Sequence, residues 1–332
     1  MDRVTKPAPV RLAIIGAGIM GERMLRAAVD HAAEIVTITA VWDASPAALD
    51  RIGPTTPAIP RSSSAAAAID AADCVYIATP PATHILYAEQ AFAAGRSVFL
   101  EKPLATDVDG AVAFIGRAMA QRAAVNFPFA SSLAVERLQR WIGEGSGPSA
   151  FSTLDIDVAF ATWPRPWQQA AVAWLDTPAE GGFTREVVSH FLFLAQRLLG
   201  PLQLVSAAVD RPTDQTERTI EARLTAGPVP VRLTGAVGTT TADDHNTWTL
   251  HGDGAIRLRD WSWAEREGPD GTWATDAGSA PNETARPMVL RRQLEGVARM
   301  TRGEPHHLAT LQEALDVQLI VEAILGARPP HR

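Results

Sequence analysis

Up to about residue 130 the chain alternates short apolar runs with segments whose apolar positions recur every three or four residues. Residues 10–15, 35–42, 74–79, 97–100 and 123–129 read as strands, with a weaker one near Ala58-Ile59. Residues 18–31, 82–94 and 107–121 read as helices. Ser45-Pro46 marks a further helix start, and 62–68 reads as the capped start of another. Strands that alternate with helices need crossover connections, which gives a parallel sheet with helices on its faces.

The pattern then changes. After a helix at 131–143, Leu154, Ile156, Val158 and Phe160 alternate with polar or small residues. The same period recurs in Ile220-Ala222-Leu224, Val229-Val231-Leu233 and Trp248-Leu250. Period two predicts strands of a half-exposed antiparallel sheet, and one broad face from Ile220 to Leu250 is expected to be partly apolar. Helices are predicted from about 183 to 199, at 286–300 and at 310–325. A length of 332 residues exceeds one hydrophobic core. The expected organisation is an α/β domain at 1–129 and an α+β domain at 130–332. The latter is built on a large, mainly antiparallel sheet, and its last helix is a candidate to pack back on the first domain.

A net charge of −7 without a basic patch argues against nucleic acid as a partner. The single cysteine, Cys74, opens an apolar run and reads as a buried structural thiol, compatible with a reducing compartment. No run of roughly 18 apolar residues points to a membrane, and no signal-peptide core is seen. A cytoplasmic location is the expectation.

Gly16-Ala17-Gly18-Ile19-Met20-Gly21 follows the first strand and opens the first helix. In that context GxGxxG is a dinucleotide fingerprint: glycines make the tight turn and let backbone amides approach a pyrophosphate at the helix N-terminus. Asp43 ends the second strand, where a carboxylate accepts hydrogen bonds from a ribose and repels a 2′-phosphate. NAD is therefore favoured, with NADP as the alternative; Arg51 is the nearest arginine downstream. Thr79-Pro80-Pro81-Ala82-Thr83-His84 leaves the fourth strand at the carboxyl edge, where ligands of such sheets bind. Its prolines set an irregular turn suited to the nicotinamide ribose, and His84 either contacts the cofactor or caps the turn.

Only two lysines stand beside 28 arginines. Lys6 lies in an unstructured-looking lead, whereas Lys102 stands in Glu101-Lys102-Pro103 after an apolar run. Lysine suits a site where a compact cation must also move a proton, because arginine stays charged. Farther on, Glu186 and His190 are four apart in a predicted helix and share a face; histidine suits proton transfer to or from a hydroxyl. Trp163-Pro164-Arg165-Pro166-Trp167 is a stiff loop that stacks on a sugar face or grips a carboxylate, or else packs on the subunit or at an oligomer interface. No metal-ligand spacing is present.

The combination GAGIMG, YIATPPATH, VFLEKPLATD and GGFTREVVSHFLFLAQRLLG resembles the Gfo/Idh/MocA oxidoreductases, the glucose–fructose oxidoreductase and inositol dehydrogenase family. The resemblance covers nearly the whole chain. It implies a Rossmann domain that holds NAD(P) through Gly16, Gly18, Ile19, Met20, Gly21, Asp43, Thr79, Pro80, Pro81, His84, Glu101 and Lys102. It also implies a cis peptide before Pro103, Lys102 at the reacting oxygen, and His190 as the acid/base assisted by Glu186. Trp163, Arg165 and Trp167 are candidates for substrate contact. The implied reaction is hydride transfer at a secondary alcohol or ketone of a sugar-like or cyclitol-like small molecule, by a homodimer or homotetramer. A non-catalytic ligand-binding regulator and a redox-neutral glycosidase or epimerase are the alternatives. Glu186, Val188 and Phe193 depart from the aspartate, glycine and aspartate common in the family.

Overall fold

A computed structural model describes residues 7–53, 58–145 and 147–326. Lys6 lies outside the described residues. Strands β1 (Val10–Ile15), β2 (Val36–Trp42), β3 (Cys74–Ile77), β4 (Ser97–Leu100) and β5 (Ala123–Val125) pair in parallel, in the order β2-β1-β3-β4-β5. β3 and β4 are buried at every position, so their sequences read as unbroken apolar runs. The crossovers carry α1 (Ile19–His31), α2 (Pro46–Ile52), α3 (Ala65–Asp70), α4 (His84–Ala93) and α5 (Val108–Ala118). The Ser64 hydroxyl accepts the Ala67 N–H, and the Asp107 carboxylate accepts those of Asp109 and Gly110, capping α3 and α5. The strand expected near Ala58-Ile59 does not form. Pro60 has no N–H to donate, and the chain meets the sheet there only through an isolated bridge between Val41 and Arg61.

The second sheet contains β6 (Phe151–Phe160), β7 (Leu202–Asp210), β8 (Thr219–Ala226), β9 (Val229–Val237), β10 (Asp244–Gly252), β11 (Ile256–Arg259), β12 (Trp263–Glu267) and β13 (Trp273–Thr275). Their order is β13-β12-β11-β10-β6-β9-β8-β7, antiparallel except for the β6–β9 pair. Helices α6 (Leu133–Glu144), α7 (Val172–Leu175), α8 (Ser189–Leu199), α9 (Asn282–Arg302) and α10 (Leu311–Gly326) complete the chain. Leu154, Ile156, Val158, Leu224, Val231, Leu233, Trp248 and Leu250 are all buried on the covered face. The opposite face is mixed. Asp155, Asp157, Glu221, Arg223, Arg232 and His251 share it with Ala159, Pro230 and Ala236, and Asp155 is paired with His251 at 3.0 Å.

The helix predicted from about 183 is divided. Thr184–Val188 forms a π-helical turn in which the Ser189 N–H donates to the Thr184 carbonyl, and regular α-helix begins at Ser189.

By contacts the chain forms two units, one running to Phe127 and resuming at Pro287–Leu311, the other comprising the rest. Leu290, Leu294, Val297 and Met300 of α9 belong to the same core cluster as Leu12, Ile14, Met24 and Leu25. Arg291 donates to Glu34 at 2.6 Å, and Ala309 bridges to Val125.

Candidate functional site

The carboxyl edge of the first sheet brings four motifs together. Gly16 has φ +102°, and a Cβ there would stand 2.5 Å from the Ala78 carbonyl group. A Cβ on Gly21 would overlap the Gly16 carbonyl oxygen, so helix and turn close on each other only through glycine. Gly18 is different: a Cβ would meet nothing within 4 Å. It is also the N-cap of α1 and offers no side-chain cap, leaving the first-turn amides to an incoming acceptor. The turn thus fits a dinucleotide pyrophosphate, with Ile19 and Met20 in the first turn of the helix.

Asp43 follows β2 directly. Its Oδ2 accepts the Ala17 N–H at 2.7 Å and its Oδ1 accepts the Ser45 N–H at 2.7 Å. The carboxylate is therefore fixed beside the glycine turn, with lone pairs left for a ribose. Arg51 reaches the same turn and donates to the Ala17 carbonyl at 2.6 Å. This is the arginine nearest downstream of Asp43, and its contact spans 34 residues of sequence.

Thr79, Pro80 and Pro81 leave β3 into a short 3₁₀ turn. His84, expected as a cofactor contact or a turn cap, is a buried tie between two loops. Its Nε2 lies 2.8 Å from the Thr79 carbonyl oxygen and its Nδ1 2.8 Å from that of Pro103. The neutral ring donates to one of these acceptors, the protonated ring to both. Lys102 and Pro103 are joined by a cis peptide bond, and Lys102 is half-buried. Before it, Glu101 is only 8% exposed, and its Oε1 accepts from the Tyr76 hydroxyl and, at 2.6 Å, from Asn126 Nδ2. Asn126 in turn accepts from Gln293. Burial first, then the Glu101 charge, pushes the Tyr76 phenol well above its ordinary pKa, so it stays a donor. Glu101 thus anchors the loop from within. Tyr76 opens the YIATPPATH motif without a role read for it there, and Asn126 and Gln293 lie in no motif. Nearby, burial pushes the Cys74 thiol up to about 12, as suits a structural residue.

In the second unit Glu186 lies on the π-helical turn, and His190 stands in the first turn of α8, 8% exposed. π-helical turns recur at functional sites. Arg185 locks this one by donating to both Glu322 oxygens at 2.6 and 2.7 Å and to the Gly181 carbonyl at 2.8 Å. Buried Glu217 accepts the Thr184 N–H at 2.7 Å. The His190 ring meets Phe129 edge-on at 6.2 Å and Trp261 at 5.4 Å. Phe193 is fully buried, with the Arg197 guanidinium 4.7 Å from its ring centre, and Val188 is buried as well.

The tryptophan-rich loop differs from the substrate-contact expectation. Trp163 is buried against Phe160 and Phe183 and donates to the Leu175 carbonyl at 3.3 Å. Arg165 is buried too, donating to Asp244 at 2.5 Å and to Gln168 at 3.0 Å. Its carboxylate partner is already in the chain, 79 residues away. Trp167 stacks on Arg165 at 4.6 Å and is the exposed member, at 42%.

Sequence reasoning passed over Trp261, which stands beside His190, and Asp260, which precedes it. Asp260 and Trp261 have φ of 46° and 74°, left-handed values that L side chains rarely adopt and that cost about 1–3 kcal/mol each. The Asp260 carboxylate holds the turn, accepting from the Asn246 N–H and Arg259 at 3.1 Å and lying 3.0 Å from His245. Among the described residues no group of three His, Cys, Asp or Glu side chains is placed to hold a metal, and no helix is long and apolar enough to cross a membrane.

Residues 10–127 match the family model described as "Oxidoreductase family, NAD-binding Rossmann fold", that of Gfo/Idh/MocA. No curated protein sequence matches the chain. Solved structures share its whole fold at low identity. An oxidoreductase from Thermotoga maritima is 15% identical with a TM-score of 0.79, covering 96% of each chain. One from Agrobacterium radiobacter, in complex with NAD+, L-tartaric acid and magnesium, is 18% identical with a TM-score of 0.79, covering 98% of each. The WlbA dehydrogenase from Bordetella pertussis, in complex with NADH and UDP-GlcNAcA, is 20% identical with a TM-score of 0.77, covering 97% of this chain and 96% of that one. Residues 10–127, with their glycine turn and carboxyl-edge loops, are thus an NAD-binding Rossmann domain of the Gfo/Idh/MocA oxidoreductase family.

Proposed function

We propose that the chain is an NAD(P)-dependent oxidoreductase acting on a secondary alcohol or ketone of a sugar-like or cyclitol-like small molecule. The observation that carries this reading is the carboxyl edge of the first sheet. There the open glycine turn, fixed Asp43 and the anchored Glu101-Lys102-Pro103 loop belong to one unit. Bound NAD supplies a hydride acceptor at its nicotinamide ring. In the oxidation direction His190 takes the hydroxyl proton, Lys102 stabilises the developing alkoxide, and Glu186 orients or charge-balances the other two. These roles rest on the resemblance and on the residue chemistry. Reduction of a ketone is the same sequence reversed.

Screening sugars, sugar acids and cyclitols with either cofactor, read at 340 nm, tests the reading; a change in absorbance is expected with some member. Product formed with no net change would replace it by redox-neutral chemistry. Binding without conversion would replace it by a regulatory role.

Cofactor choice follows from Asp43. Titration calorimetry is expected to show NAD(H) bound at least several-fold more tightly than NADP(H), because a 2′-phosphate would face a fixed carboxylate. Equal or tighter NADP(H) binding, lost in Arg51→Ala, would instead assign the discrimination to Arg51.

The reading includes a homodimer or homotetramer, carried over from the resemblance. Light scattering should give a multiple of 35.5 kDa at micromolar concentration; a mass of one chain would remove this part of it.

A further inference from the structure

We infer that Trp261 sets the substrate class: its indole is the platform on which the C–H face of an uncharged, ring-shaped polyol lies while His190 addresses a ring hydroxyl. The inference rests on His190 being the acid/base.

Four observations carry it. Phe129 and Trp261 flank His190 within one unit, with ring centres of Trp261 5.5 Å from Phe129 and 5.3 Å from Phe191. Phe129 and Phe191 are buried, whereas Trp261 keeps part of its surface open. The partly open member of this cluster is therefore an indole. Secondly, the indole is held in place by a backbone that bulky residues avoid. Asp260 and Trp261 are both left-handed, and the turn is fixed by the Asp260 carboxylate and by Ser262, whose hydroxyl donates to the Ala280 carbonyl at 2.7 Å. Such strain persists where the surroundings over-determine it, and it gathers at ligand sites.

Thirdly, an aromatic face is negative and attracts C–H groups polarised by neighbouring oxygens. A pyranose or cyclitol presents several such groups in one plane, while its hydroxyls point outward from the rim. An acyclic polyol has no such plane and must also give up rotational freedom to imitate one. Lastly, the arginine that would have received a substrate carboxylate is already neutralised. Arg165 is buried and paired with Asp244 at 2.5 Å, which favours an uncharged ring over a sugar acid.

The experiment compares kcat/KM for cyclitols and methyl pyranosides with those for hexitols and uronic acids, in the native protein and in Trp261→Phe, Trp261→Leu and Trp261→Ala. The native protein should prefer uncharged rings by about tenfold or more. Trp261→Phe should keep most of that preference. Trp261→Leu, which retains apolar bulk without a π face, and Trp261→Ala should raise KM for rings by about tenfold. In both, kcat should fall less, NAD(H) affinity should stay near the native value, and the ring preference should vanish, whatever stability is lost with the ring packing. An unchanged KM in Trp261→Leu, or equal losses for rings and open chains, overturns the inference. Should the native protein show no turnover with any of these compounds, the oxidoreductase reading fails separately. Calorimetric binding of the same rings then decides for the platform if Trp261→Leu weakens it, and against it if affinity is unchanged.

Discussion

Lys102→Arg is expected still to bind NAD(H) and to lose turnover by roughly 10²-fold or more. The local scaffold explains why charge alone is insufficient. On one side of Lys102, Glu101 is held by Tyr76 and Asn126; on the other, the Pro103 carbonyl faces the His84 ring. A backbone fixed at both flanks cannot shift to accommodate a planar guanidinium where an ammonium was a compact point charge. The glycine turn and Asp43 are untouched by the change, so cofactor binding is retained. Lys102→Met should be at least as inactive, and His190→Asn should lose turnover while keeping NAD(H). Calorimetry and single-turnover absorbance on a verified substrate give the two readouts. Near-native turnover in Lys102→Arg would reduce Lys102 to a structural or electrostatic residue.

Gly21→Ala and Gly18→Ala should fail in different ways although they lie in one motif. A methyl at Gly21 overlaps the Gly16 carbonyl oxygen, and backbone must move to admit it. The expected result is a loss of about 1–3 kcal/mol of stability, read as a thermal midpoint several degrees lower, with NAD(H) affinity reduced roughly tenfold or more. A methyl at Gly18 meets nothing in the protein. Gly18→Ala should therefore unfold at the native midpoint and still bind NAD(H) more weakly, because the added carbon stands where the pyrophosphate approaches. Unchanged affinity in a well-folded Gly18→Ala would place the dinucleotide elsewhere.

The readable features were local ones. Buried parallel strands such as 74–77 are continuous apolar runs, and the glycine turn is recognised from strand, glycines and helix in immediate succession. The long alternating strands were equally visible in Leu154 to Phe160 and Val229 to Leu233. The edge strands were not, because Ile256-Arg257-Leu258-Arg259 and Trp263 to Glu267 are short and rich in charge. There Arg257 and Arg259 are stabilised by Glu265 across the sheet, a partner that spacing does not announce. In the site, the π-helical turn was hidden because its residues suit an α-helix as well. The burial of Arg165 depended on Asp244, and the left-handed Trp261 on Asp260 and Ser262. Each is fixed by tertiary contacts rather than by its own neighbours.

The return of α9 to the first unit bears on how the protein is made. While a ribosome extends the chain, strands β1 to β5 emerge early, but Leu290, Leu294, Val297 and Met300 arrive only after the 159 residues from 128 to 286. At ~5–20 residues per second that interval is about 8–30 s. Throughout it, the apolar surface around Leu12, Ile14, Met24 and Leu25 lacks the helix that seals it. The nucleotide-binding unit therefore cannot finish folding in the order in which it is written, and its nascent form carries a sticky patch that a chaperone would recognise.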